Sequence, residues 1–355
     1  MLDNPKEIEK IDQGNMRKLL LEFPSQCEKA IQLAEKFTTP EELFQKSDKI
    51  VVCGLGGSAI GGDILKTLLK QSLEIPILVN RNYALPAAVN KKTLTFVISY
   101  SGNTEETLTA YKEAMGRKSR LISICSGGKV KELSEKDKVP CLLVPPGMPP
   151  RTTIGYLFIP FLKILERLKW TNIYKQNYDE LLEVLNDIRE RYRPDVPLSE
   201  NPAKALSQKL VGKIPLIYGV EGKTDVVAHR LKTQFNENSK IIAFWDVFPE
   251  LSHNEIVAWG KEGKVDFQQF YPLFIRDVEE GERIRKRIEI TQSIITEREV
   301  GWEEIWTEGK GHLTRIFSAI YKIDWLSFYL AILQGVDPTP VKMIDLLKRE
   351  LGKLE

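Results

Sequence analysis

The chain has 355 residues, 51 of them basic and 49 acidic, so its formal charge is only +2 and bulk charge supports neither nucleic-acid nor membrane-surface binding. Hydrophobic residues at 42% and charged residues at 28% are ordinary for a soluble globular protein, and this length favours two domains over one core. The start, MLDNPKEIEKIDQ, lacks the apolar core of a signal peptide, and no run approaches 18 uncharged apolar residues; the expectation is a cytoplasmic protein without a membrane span. Cys27, Cys53, Cys125 and Cys141 form no CxxC pair, which suits reduced thiols.

Residues 14–36 read as helical, with a break at Pro24. KIVVCGLG (49–56) then opens an α/β rhythm: an apolar, β-branched run ends in glycines and a helical pattern, AIGGDILKTLLKQ, follows. IPILVN (75–80) and TLTFVISYSG (93–102) are the next strands, TEETLTAYKEAM is a helix, and RLISICSGG and CLLVPPG continue the alternation. The charged, proline-bearing stretch 177–206 reads as part of a linker. At 213–222, KIPLIYGVEG repeats the plan of KIVVCGLGG: lysine, isoleucine, an apolar run, a glycine turn. The helix TDVVAHRLKTQFNE follows, then strands in KIIAFWDVFPE, VDFQQFYPLFIRD and WEEIWTEG, and helices over 312–353. The fold class is α/β, as two tandem doubly wound units with parallel sheets flanked by helices. The expected division is a helical segment over 1–44, a first domain over 45–170, a helical linker over 171–206 and a second domain over 207–355.

Two loops of the first half carry the chemical signal. GLGGSAIGGD (54–63) joins a strand to a helix, where Gly56, Gly57 and Ser58 allow close backbone approach of an anion to a helix N-terminus. Its spacing fits neither GxGxxG nor GxxxxGK[ST], and the second strand ends in Asn80 and Arg81 with no acidic residue, so a nucleotide site is disfavoured. SYSGNTEETL (99–108) gathers the hydroxyls of Ser99, Ser101 and Thr104 ahead of a helix, with Thr104 as its N-cap. Hydroxyls and free helix N–H groups suit a phosphate monoester.

These loops resemble the signature loops of the sugar isomerase domain. Two tandem copies, with PPR at 149–151, FNENSK at 235–240 and LSHNE at 251–255, are similar to the bifunctional phosphoglucose/phosphomannose isomerase family. The resemblance implies interconversion of glucose 6-phosphate or mannose 6-phosphate with fructose 6-phosphate, a place in glycolysis and gluconeogenesis, and no cofactor. It implies Glu237 as the base, His253 as the ring-opening residue, and a homodimer in which His253 is shared across the interface. Arg151, approached through prolines, suits an enediolate or a positioned water. In TPVKMIDLLKREL, Val341, Ile344, Lys348 and Leu351 share one helical face, so Lys348 interrupts an apolar stripe and is preferred to Lys342 as the substrate-contacting lysine that the resemblance implies. His229 lies inside a helical pattern and His312 begins one. No HExxH, HxH or cysteine pair suggests a metal site. A non-catalytic sugar-phosphate-binding regulator and another aldose–ketose phosphosugar isomerase stay open as alternatives.

Overall fold

The computed structural model describes residues 1–260, 262–263 and 265–353. Three helices lead the chain: α1 (Pro5–Ile11), α2 (Met16–Leu21) and α3 (Phe23–Lys36), with Pro24 in the first turn of α3, where its missing N–H costs nothing. The first sheet alternates β1 (Lys49–Cys53), α4 (Gly57–Leu69), β2 (Ile77–Asn80), β3 (Thr93–Ser99), α5 (Glu105–Gly116), β4 (Arg120–Cys125), α6 (Gly128–Asp137) and β5 (Cys141–Leu143). Its strands are all parallel, in the order β2-β1-β3-β4-β5. Ile50 to Cys53 and every residue of β3 are buried, as expected for strands covered on both faces.

Helices α7 (Ile154–Arg167), α8 (Lys175–Tyr192) and α9 (Pro202–Leu210) lead to the second sheet. That sheet comprises β6 (Ile214–Val220), α10 (Asp225–Gln234), β7 (Phe244–Phe248), the short α11 (Glu255–Ala258), β8 (Phe270–Arg276), α12 (Glu282–Thr296) and β9 (Glu303–Trp306). Its parallel order, β7-β6-β8-β9, repeats β2-β1-β3-β4 strand for strand. The glycine-ended runs that suggested a repeat, β1 and β6, hold the same place in their sheets.

Helix α13 (His312–Leu333) ties the halves together. Every residue from Leu313 to Ile332 is buried. Phe317 meets Phe158 of α7 at a ring distance of 5.4 Å, and Tyr321 donates to the Leu20 carbonyl at 2.7 Å. One hydrophobic cluster therefore runs from α1 through α7, α8 and α10 into α13. By length and composition α13 could cross a membrane, although Arg315, Lys322 and Asp324 keep it from being the uncharged apolar run that the sequence lacks. Here 94% of its most apolar stretch is buried in the protein, so it serves as a core helix. The stretch read as a helical linker is helical, and its α8 contributes Tyr178, Leu181, Leu185 and Ile188 to this core.

Helix α14 (Lys342–Leu351) is exposed along its whole length. The apolar face read from Val341, Ile344 and Leu351 around Lys348 buries none of its residues within the chain. Met343, Leu347 and Leu351 form an exposed stripe, and Lys348 stands beside it in solvent.

Candidate active site

The strand order reverses between β1 and β3, and the loops that follow these strands flank the crevice at that switch point. Gly56 adopts φ +50°, a conformation that L side chains rarely tolerate. Gly57 begins α4; a Cβ there would stand 2.8 Å from the Pro150 carbonyl oxygen, so only glycine lets the helix approach this segment. Ser58 is buried, and its Oγ accepts from Tyr100 N at 3.3 Å, which joins the first loop to the second.

In the second loop Ser99 Oγ and Thr104 Oγ1 share a hydrogen bond at 3.0 Å, and Ser99 Oγ accepts from Gly102 N at 3.1 Å. Thr104 occupies the N-cap position of α5, but its hydroxyl does not cap the helix and faces Ser99 instead. The first N–H groups of α5 are left to another acceptor. Ser101 is exposed, with its Oγ accepting from Asn103 N at 3.3 Å. Tyr100 Oη donates to Pro145 O at 2.8 Å and accepts from Met148 N at 3.0 Å, so this loop also fixes the approach to Arg151. Burial raises the Tyr100 phenol above its ordinary value, which keeps it a donor at neutral pH.

Arg151 crosses from the first half to the second. It is 4% exposed. Its Nε donates to Asn238 Oδ1 at 2.6 Å, and its Nη2 donates to Pro338 O at 2.7 Å and Thr339 O at 2.8 Å. Nη1 lies 3.5 Å from Glu237 Oε2. Burial pulls the guanidinium below its ordinary value while Glu237 opposes the shift, and it stays a cation at neutral pH. Beneath it, Arg230 Nη2 donates to the Arg151 carbonyl at 2.8 Å and to Asp324 Oδ2 at 2.8 Å.

Glu237 stands at the end of the helical run TDVVAHRLKTQFNE read from the sequence. It lies on a single wide helical turn, Phe235–Ser239, which continues α10 and ends at Lys240 with φ +58°. Such turns recur at functional sites because they push a side chain out of the helical register. The Glu237 side chain is 28% exposed and open to a ligand. Lys240, part of the FNENSK segment but not singled out as a site residue, bonds through Nζ to the Glu237 carbonyl and to Pro340 O. Burial is the main reason its ammonium falls below the ordinary lysine value.

His253 and Lys348 lie apart from this cluster. His253 is exposed on a short turn (Glu250–His253) after β7, and Lys348 is exposed on α14. Among the described residues neither side chain bonds to Arg151, Glu237 or the hydroxyl loops. His229 stacks on Trp245 at 4.8 Å in a separate cleft of about 280 Å³ between α4 and α10. Two ion pairs lie there within the chain, Lys70 with Glu221 at 2.7 Å and Arg81 with Asp63. The switch point of the second sheet differs from that of the first. After β8 stand Asp277 and Glu279, bonded to Arg315 at 3.1 and 2.7 Å, so carboxylates fill the place that hydroxyls hold in the first half. Among the described residues no group of three or more His, Cys, Asp and Glu could hold a metal ion.

The chain thus brings two hydroxyl-bearing loops of the first half and an arginine–carboxylate pair into one structure. The sequence profile of the SIS domain family matches residues 43–146, which contain both hydroxyl loops. The profile of the bacterial phospho-glucose isomerase C-terminal SIS domain matches residues 199–351, which contain Glu237, His253 and Lys348. A bifunctional phosphoglucose/phosphomannose isomerase of Caldicellulosiruptor bescii is 43% identical over 94% of this chain and 98% of its own. The chain belongs to the bifunctional phosphoglucose/phosphomannose isomerase family. A second family member, from Aquifex aeolicus, is 35% identical over 86% of this chain and 90% of its own. Among solved structures, a hypothetical protein of Thermus thermophilus shares the fold with a TM-score of 0.76, at 14% identity over 98% of this chain and 92% of its own. The tandem parallel sheets of this isomerase are therefore of the sugar isomerase type.

Proposed function

We propose that the chain interconverts glucose 6-phosphate and mannose 6-phosphate with fructose 6-phosphate. The observation that carries this reading is the placement of the Arg151–Glu237 pair against the N-terminus of α4, through the contact of Gly57 with Pro150. Gly56, Gly57, Ser58, Ser99, Ser101 and Thr104 hold the phosphate by backbone N–H and hydroxyl donors. The carboxylate of Glu237 removes the C2 proton of the open-chain aldose, and the electron pair forms the C1–C2 double bond of an enediolate. A proton moves between O1 and O2, and the carbon proton returns at C1 to give the ketose. Arg151 stabilises the negative oxygen while it exists. Both aldoses share one enediolate, so one base serves both. The reaction needs no cofactor.

We further propose that the working unit is a homodimer. His253, which opens the sugar ring, then reaches the site from the second copy, and Lys348 contacts substrate once α14 is docked. Support comes from exposed apolar side chains near both residues: Ile242 and Phe244 at β7, Val257 beyond His253, and Met343 and Leu347 on α14. We divide the chain into domains over 45–170 and 207–355, in keeping with the two matched families. Free cysteines and a phosphorylated substrate favour a cytoplasmic location. The test is a coupled assay with fructose 6-phosphate that reads both aldose phosphates; formation of neither overturns the reading.

A further inference from the structure

We infer that Asn238 is a positioning residue that aims the Arg151 guanidinium, an inference that rests on the role of Arg151 given above. Arginine carries five N–H donors in one plane. Three of them are committed to the protein: Nε to Asn238 Oδ1 at 2.6 Å, and Nη2 to the Pro338 and Thr339 carbonyls at 2.7 and 2.8 Å. The two N–H groups of Nη1 are left, and their neighbour Glu237 Oε2 lies at 3.5 Å, beyond a tight charge-assisted bond. The guanidinium is thus pinned along one edge and presents the other beside the base.

The amide of Asn238 cannot turn over without loss. Its Nδ2 donates to Ser327 Oγ at 3.0 Å, and Ser327 Oγ donates in turn to the Asp324 carbonyl at 2.8 Å. A flipped amide would set its NH₂ against the Arg151 Nε–H, donor to donor. Asn238 is 1% exposed, so it acts on substrate only through Arg151. It also follows Glu237 on the same wide turn. That turn therefore sets the spacing between the base and the cation that serves its enediolate. Below it, Asp324 holds Arg230 and Gln234, and Arg230 holds the Arg151 carbonyl, so side chain and backbone of Arg151 are both referred to α13.

The test is a double-mutant cycle of Asn238→Leu and Arg151→Met on the full chain, with fructose 6-phosphate as substrate. A hydrogen bond to a charged group translates into a fall in kcat of about 10- to 100-fold for Asn238→Leu. KM should stay within about twofold, because the phosphate cradle is elsewhere. In the Arg151→Met background, Asn238→Leu should lower kcat no further. A structural role would instead impose its loss in either background. Equal losses in both backgrounds, or a raised KM with kcat unchanged, overturn the inference. Unchanged kcat in Arg151→Met alone overturns the reading of Arg151 itself. Should a variant not fold, Ser327→Ala, which frees the amide, must lower kcat with KM constant; unchanged kcat there counts against the inference.

Discussion

Glu237 and Arg151 stand 86 residues apart in sequence, yet Glu237 Oε2 lies 3.5 Å from Arg151 Nη1. The carboxylate comes from the second half of the chain and the cation from the junction behind the first. Their meeting depends on the close approach of α4 to the proline-rich segment before Arg151.

Gly57→Ala tests that approach. The added methyl would meet the Pro150 carbonyl oxygen at 2.8 Å and Arg151 Cα at 3.2 Å, both backbone atoms that cannot swing aside. Stability should fall by about 1–3 kcal/mol, as for overpacked cores, and kcat should fall with it. Urea unfolding and steady-state kinetics read the two effects. Wild-type values of both would show that the segment has room to spare.

Ser101→Ala and Thr104→Ala probe the cradle. Each removes a hydroxyl expected to donate to the phosphate, and each should raise KM by roughly 10- to 100-fold, from about 1.5–3 kcal/mol per bond to a charged group. Thr104 also loses its bond to Ser99, so its effect should be the larger. An unchanged KM in both variants would remove these loops from substrate binding.

His312 ties stability to pH. Burial first, and then nearby Arg315 and Lys223, pull its imidazole from 6.5 down to about 4. The folded chain keeps His312 neutral down to about pH 4, whereas the unfolded chain takes up its proton near 6.5. Its contribution is therefore full above pH 6.5 and is lost as pH falls toward 4, by about 3 kcal/mol in all. Urea midpoints should fall between pH 7 and 4.5 in the wild type and fall less in His312→Gln. Parallel slopes would mean that this imidazole titrates normally in the fold.

Treatment with EDTA should leave activity intact, since general acid–base transfer by a carboxylate requires no ion. Loss of activity that zinc restores would contradict that.

The sheets were legible in the sequence because β1, β3 and β8 are buried, β-branched or aromatic runs that end at polar turns. The hydroxyl loops were legible for a similar local reason: Ser99, Ser101 and Thr104 cluster within six residues at one strand end. Glu237 needed family resemblance, since it is one charge among many, whereas the prolines before Arg151 mark it out. Asn238 and the Pro338 and Thr339 carbonyls gave no signal, because their roles arise only from contacts across 87 to 188 residues. The apolar stripe beside Lys348 was visible in sequence, but periodicity says that a face exists and not what covers it. Helix α13 falls within the stretch read as helical, and Arg315, Lys322 and Asp324 interrupt its apolar run. Asp324 is paired with Arg230, Arg315 with Asp277 and Lys322 with Glu308, which makes their burial tolerable.

Hydrogen exchange at C2 measures the proposed base most directly. Wild-type enzyme incubated with an aldose 6-phosphate in deuterated water should wash deuterium into C2. Glu237→Gln keeps the size and polarity of the side chain but loses the basic oxygen. Its isomerisation should fall on the order of 10²- to 10⁴-fold, the range for loss of a general base, and its exchange should vanish while sugar-phosphate binding persists. Exchange at the wild-type rate in Glu237→Gln would contradict the assignment and move the base to another carboxylate.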